Sequence, residues 1–89
     1  MFKLEVLVTL KKDVLDPQGK AIEQAAKNIN LKNIHSVKQN KYFEILVEKV
    51  PTQNKAKELV IRLSQNLLAN EVIEDFKIIR CRKTWLPQS

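Results

Sequence analysis

The sequence has 89 residues, 44% of them hydrophobic and 29% charged, with a net charge of +6. A chain this short makes one domain with a thin core, which argues against a deep enclosed catalytic pocket and makes self-association an expectation. Cys81 is the only cysteine, so an intrachain disulfide is excluded, and no apolar run nears the roughly 20 residues that span a bilayer.

Residues 2–10 alternate, with Phe2, Leu4, Val6, Val8 and Leu10 on one face and Lys3, Glu5, Leu7 and Thr9 on the other, the pattern of a half-buried strand. The unbroken apolar core of a signal peptide is not found there, and the cytoplasm is the expected compartment. Asp16 then offers a carboxylate to cap a helix, and Pro17 sits at the first helical position, where its missing N–H costs nothing. Ala21, Ile22, Ala25, Ala26 and Ile29 follow at helical spacing, which predicts a helix over 17–29. Residues 34–39 read as a second strand. Asn40 and Lys41 read as a tight turn, because asparagine tolerates a left-handed backbone. Residues 42–49 read as a third strand, with Phe43, Ile45 and Val47 inward. Thr52 caps a second helix carrying Ala56, Leu59, Val60, Leu63 and Leu67, with a stop near Asn70. Residues 72–80 complete the pattern as a fourth strand.

The order β-α-β-β-α-β predicts an α+β, ferredoxin-like fold, with a four-stranded antiparallel sheet and two helices on one face. The single domain is expected over 1–81, with 82–89 as a basic C-terminal tail without regular structure. The outer face of the sheet keeps Leu7, Tyr42, Leu46 and Ile79 among charges, a composition that suits either a partner surface or scattered apolar exposure.

Chemistry-bearing residues are sparse. His35 is the only histidine and has no cysteine or histidine neighbour, so neither a metal site nor a base with an orienting partner is expected. Arg80 and Arg82 flank Cys81, but no resolving cysteine accompanies it. Glu74 and Asp75 are adjacent on a strand and so point to opposite faces. The segment from Lys11 to Gly19 could offer a helix N-terminus to an anion, but Asp16 already occupies that end, and the Gly-Lys-Ser/Thr close of a phosphate loop is missing. Gly19 is the only glycine in the chain, and in a first helical turn it implies that something packs close to the backbone. The net charge raises the question of RNA. The first strand offers no aromatic for base stacking, and Tyr42 stands beside Glu44 and Glu48, so no nucleic-acid partner is expected.

At "LKKDVLDPQGKAI" the sequence resembles the PurS family, the small subunits of phosphoribosylformylglycinamidine synthase. "VLVTLK" at 6–11, "NKYFEI" at 40–45 and "LLANEVIEDF" at 67–76 resemble further segments of that family, in order and over residues 2–80. Asn40 stands where the family usually has glycine, and the basic run from Arg80 through Trp85 extends past the usual end.

The resemblance implies a subunit of an enzyme of de novo purine synthesis. That enzyme converts formylglycinamide ribonucleotide, glutamine and ATP to formylglycinamidine ribonucleotide, glutamate, ADP and phosphate. It implies a PurL-type synthetase partner that binds ATP and magnesium, and a PurQ-type glutaminase partner that carries the nucleophilic cysteine. The small subunit would have no catalytic residue, metal or cofactor of its own. It would form a homodimer or higher oligomer and join the two partners for ammonia transfer. Candidate contacts on the matched segments are Asp16, Gln18 and Gly19 at one site, and Asn70, Glu74 and Asp75 at another. A regulatory small-ligand domain of the ACT type, which shares the same element order, is the alternative.

Overall fold

The computed structural model describes residues 1–84. Trp85 and the rest of the expected tail lie outside the described residues. Strand β1 (Phe2–Leu10) leads to helix α1 (Pro17–Asn28), strand β2 (Lys41–Val47), helix α2 (Gln53–Leu63), a π-helical turn (Ser64–Leu68) and strand β3 (Glu74–Lys83).

β1 is the centre of an antiparallel sheet ordered β2-β1-β3. Its alternation decides the faces. Leu4, Val6 and Val8 are buried on the inner side, where Ala56 and Val60 of α2 meet them. Leu4 pairs across the sheet with Ile45 and with Cys81. A bulge in β3 opposite Glu5 and Val6 leaves Ile79 as the extra residue between Ile78 and Arg80. It keeps Ile78 and Cys81 packed against the core while Ile79 is 46% exposed. Both helices are capped as the sequence predicts: Gly19 N–H donates to Asp16 Oδ1 at 2.9 Å, and Lys55 N–H donates to Thr52 Oγ1 at 3.2 Å.

Four expectations are corrected. Residues 34–39 form no strand, so among the described residues the sheet has three strands and the order is β-α-β-α-β. The reason is local competition: Val37 N–H donates to Glu23 Oε2, and Gln39 N–H donates to Asp16 Oδ2, each at 2.9 Å. Two helix carboxylates thus take backbone donors that a strand ladder would need. Residues 34–39 become a strap lying along α1.

The tight turn at Asn40 is also absent. Positive φ falls instead on Asn30 (67°), just past α1, and on Lys49 (59°), just past β2. β3 starts at Glu74 and runs to Lys83, so Cys81, Arg82 and Lys83 pair with Leu4, Lys3 and Phe2. The basic side chains gave these residues the look of a tail, but Thr84 N–H still reaches Met1 O at 2.7 Å.

The last correction concerns the helices. α2 packs on β1 and β3. α1 contributes only Gly19 to the buried residues, and Ile22 and Ile29 stay 48% and 68% exposed. The apolar stripe is present at helical spacing, but the sheet is not what covers it.

Candidate functional site

Asp16 and Gln18 of the first candidate set meet Glu74 of the second at one groove. Asp16, Pro17 and Gln18 at the start of α1 line an open groove of ≈ 260 Å³ together with Val8, Leu10, Gln39, Asn40, Lys41 and Glu74. Gly19, the residue after Gln18, is buried, and an added Cβ there would collide with the Val37 carbonyl oxygen and the Asp16 carboxylate. Asp16 is therefore more than a cap. Its carboxylate joins the helix start to the strap at two backbone N–H groups.

The second set is built around Glu74, which is buried. Glu74 Oε1 accepts from Asn70 N–H at 2.8 Å, and Oε2 meets Lys41 Nζ at 3.4 Å. Asn70 Oδ1 accepts from Val72 N–H at 3.2 Å, and the Asn70 carbonyl accepts from Ile73 and Glu74 N–H. This closes the turn between the π-helical segment and β3. Asp75 points the other way, as its neighbouring strand position requires, and meets Lys11 Nζ at 2.7 Å. Glu74 belongs to the groove, and Asp75 lies beside it.

The electrostatics follow from the backbone. The Gly19 N–H, then the Gln39 N–H, hold the Asp16 carboxyl below its ordinary value. The Val37 N–H does the same for Glu23, and the Asn70 N–H for Glu74. Each donor favours the ionised form. A group whose folded pKa is lowered contributes stability above its unfolded pKa and loses it as pH falls through the folded value. The ordinary values are 3.8 for Asp16 and 4.5 for Glu23 and Glu74. The strap and the turn before β3 should therefore hold steady from about pH 6 to 8 and loosen below about pH 4. Amide exchange at Val37, Gln39 and Asn70, corrected for intrinsic rate, checks this. Protection that is flat down to pH 3 would contradict it.

On the outer face of the sheet, Arg80 Nε meets Glu5 Oε2 at 3.4 Å and Lys3 Nζ meets Glu44 Oε2 at 3.5 Å. Tyr42 OH donates to Glu44 Oε1 at 3.3 Å. Loss of water around the hydroxyl, with the Glu5 and Glu44 carboxylates nearby, pushes Tyr42 up to about 12. Glu5 is buried although it lies on this open face. Tyr42, Leu46 and Ile79 remain between 39% and 49% exposed. His35 is exposed, and Cys81 is half-buried and unpaired. Among the described residues, no three His, Cys, Asp or Glu side chains gather as metal ligands would. No described helix is long and apolar enough to cross a membrane.

Sequence reasoning missed Glu23 and Gln39. Glu23 is one more charge on an exposed helix, and only the course of the strap reveals what it holds.

These features define a class: a short α+β chain with a three-stranded antiparallel sheet, whose buried carboxylates are committed to backbone donors and cross-strand cations. The chain belongs to the PurS family: the family profile, described as phosphoribosylformylglycinamidine (FGAM) synthase, matches residues 3–81. It is thus a PurS subunit of FGAM synthase, of the purine biosynthetic pathway. It is 39% identical over 77 residues to the FGAM synthase subunit PurS of Bacillus subtilis, covering 86% of this chain and 89% of that one. The crystal structure of PurS from Methanocaldococcus jannaschii, one of the subunits of formylglycinamide ribonucleotide amidotransferase, has a TM-score of 0.83 and 35% identity, covering 96% of this chain and all of that one. A chain in the structure of PurLQS from Thermotoga maritima has a TM-score of 0.77 and 26% identity, covering 91% and 94%. Membership of this family displaces the ACT-type alternative.

Proposed function

We propose that this chain is the non-catalytic bracket of a PurL–PurQ–PurS assembly. It holds a glutaminase and an ATP-dependent synthetase in register, so that ammonia released from glutamine reaches the synthetase without passing through bulk water. The reaction served is formylglycinamide ribonucleotide plus glutamine, ATP and water to formylglycinamidine ribonucleotide, glutamate, ADP and phosphate. Ammonia that escapes is diluted and protonated, so positioning alone is worth rate. The chain does this as a homo-oligomer in the cytoplasm. ATP and magnesium sit in the synthetase, and no cofactor or nucleic acid sits in the small subunit.

The observation that carries this reading is the likeness, over nearly the whole chain, to a protein solved as part of PurLQS. The geometry supports it. Asp16, Glu23 and Glu74 are spent on fixing backbone, which suits a surface that must keep its shape. The meeting of Asp16, Gln18 and Glu74 at one groove supports a contact region at the start of α1 and the start of β3, with Gly19, Asn70 and Asp75 beside it. The test is the nitrogen source. FGAM formation from glutamine should require this chain, whereas formation from added ammonium should not.

A further inference from the structure

The groove at the start of α1 has its charges already committed. Asp16 accepts from the Gly19 and Gln39 N–H groups, and Glu74 accepts from the Asn70 N–H and meets Lys41. A carboxylate or phosphate entering there would face both carboxylates. A cation would compete with the backbone donors that hold them. What the groove still offers is neutral: the carboxamides of Gln18, Gln39 and Asn40, and the apolar surfaces of Pro17 and Leu10.

Three features make these carboxamides a reading surface. They belong to exposed residues, and none of the three side chains hydrogen-bonds to another described residue. They stand on α1 and at the end of the strap, two segments tied together by the 2.9 Å bond from Gln39 N–H to Asp16, so their spacing is set before anything binds. Each carboxamide carries a C=O acceptor and an NH₂ donor pair, the complement of a peptide group, so together they match the C=O and N–H groups of extended backbone. The size agrees. At ≈ 260 Å³ the groove is smaller than the roughly 300–1,000 Å³ of pockets that enclose a small molecule, which favours a segment of chain laid across it.

We propose that this groove takes an extended, uncharged backbone segment of a partner subunit, hydrogen-bonded by Gln18, Gln39 and Asn40 and packed on Pro17 and Leu10. The proposal rests on the bracket reading above and deepens it by naming the chemistry of the docked segment. That segment is neutral backbone, despite the net charge of +6 on this chain. Docking of this kind is specified by hydrogen bonds and does not weaken with salt, because no ion pair is there to screen.

The test titrates this chain into purified synthetase and glutaminase and reads the concentration that half-restores FGAM formation from glutamine. Gln18→Ala, Gln39→Ala and Asn40→Ala change exposed side chains and leave every backbone N–H in place. Each should raise the half-saturating concentration about 3–10-fold, the value of one neutral hydrogen bond, with the rate at saturation unchanged. Those fold-changes should be the same at about 0.1 M and 0.5 M salt. Lys38→Ala, an exposed cation next to Gln39, should shift the concentration less than about twofold. A triple alanine variant that titrates like wild type overturns the groove and leaves the bracket standing. Carboxamide effects that vanish at the higher salt, or a Lys38 effect larger than theirs, do the same, because the docking would then be ionic. A triple variant whose isolated chain sediments at a lower mass than wild type also overturns the groove, since a second copy would then fill it. A wild-type chain that restores no glutamine-dependent rate overturns both readings.

Discussion

Leu4→Ala should cost this fold more stability than any other single truncation. Leu4 is fully buried on the central strand, between Ile45 and Cys81, with α2 above it. Leucine-to-alanine changes at such sites cost about 2–5 kcal/mol, from lost transfer energy plus the cavity left behind. A domain of this length has about 4–13 kcal/mol in total. The variant should therefore lose a large share of its stability and unfold at a much lower urea concentration. The comparison has to be made at one protein concentration, because the proposed self-association would add to apparent stability. A midpoint within 0.5 M of wild type would mean that the sheet centre is not where the core lies.

Gly19→Ala has the second largest expected effect, and its sign is the informative part. On an open helix the change stabilises by about 0.5–1 kcal/mol. At Gly19 the new methyl would meet the Val37 carbonyl oxygen and the Asp16 carboxylate. Neither moves without breaking the clasp, since Asp16 holds Gln39 and Glu23 holds Val37. Forced overpacking of this kind costs about 1–3 kcal/mol. The variant should be destabilised, with faster amide exchange at Val37 and Gln39 than elsewhere in the chain. A gain in stability with unchanged protection would show that the strap does not close over the helix.

How much of this was legible in the sequence depends on how local the cause is. The alternation of residues 2–10 gave the central strand to the residue, because a buried face on one side fixes a period of two. Asp16 and Thr52 were readable as caps for the same reason: a cap is an interaction across three residues. Gly19 announced a close backbone approach, but nothing nearby in the chain named Val37 as its neighbour. The strap was misread as a strand because its donors are taken by Asp16 and Glu23, which are 14 or more residues away. Arg82 and Lys83 were misread as part of a tail because they carry basic side chains, while Cys81 beside them still packs against the core. The apolar stripe of α1 was legible at helical spacing, but its packing on the sheet beside α2 was not borne out: Ile22 and Ile29 stay exposed, a placement that no local pattern specifies.

The candidate contacts were legible as residues and not as one place. Asp16 and Glu74 are far apart in the chain. They meet around a groove only because β3 starts beside Lys41, where the strap hands over to β2. Lys11 reaching Asp75 draws the end of β1 to the same spot.

The most direct test of the bracket is turnover in the reconstituted enzyme, with purified synthetase and glutaminase supplied with and without this chain. The account predicts that, without the chain, FGAM formation from glutamine falls at least tenfold while formation from added ammonium is unchanged. Adding the chain back restores the first rate alone. Equal glutamine-dependent rates with and without the chain would contradict it, as would an equal fall in the ammonium-dependent rate.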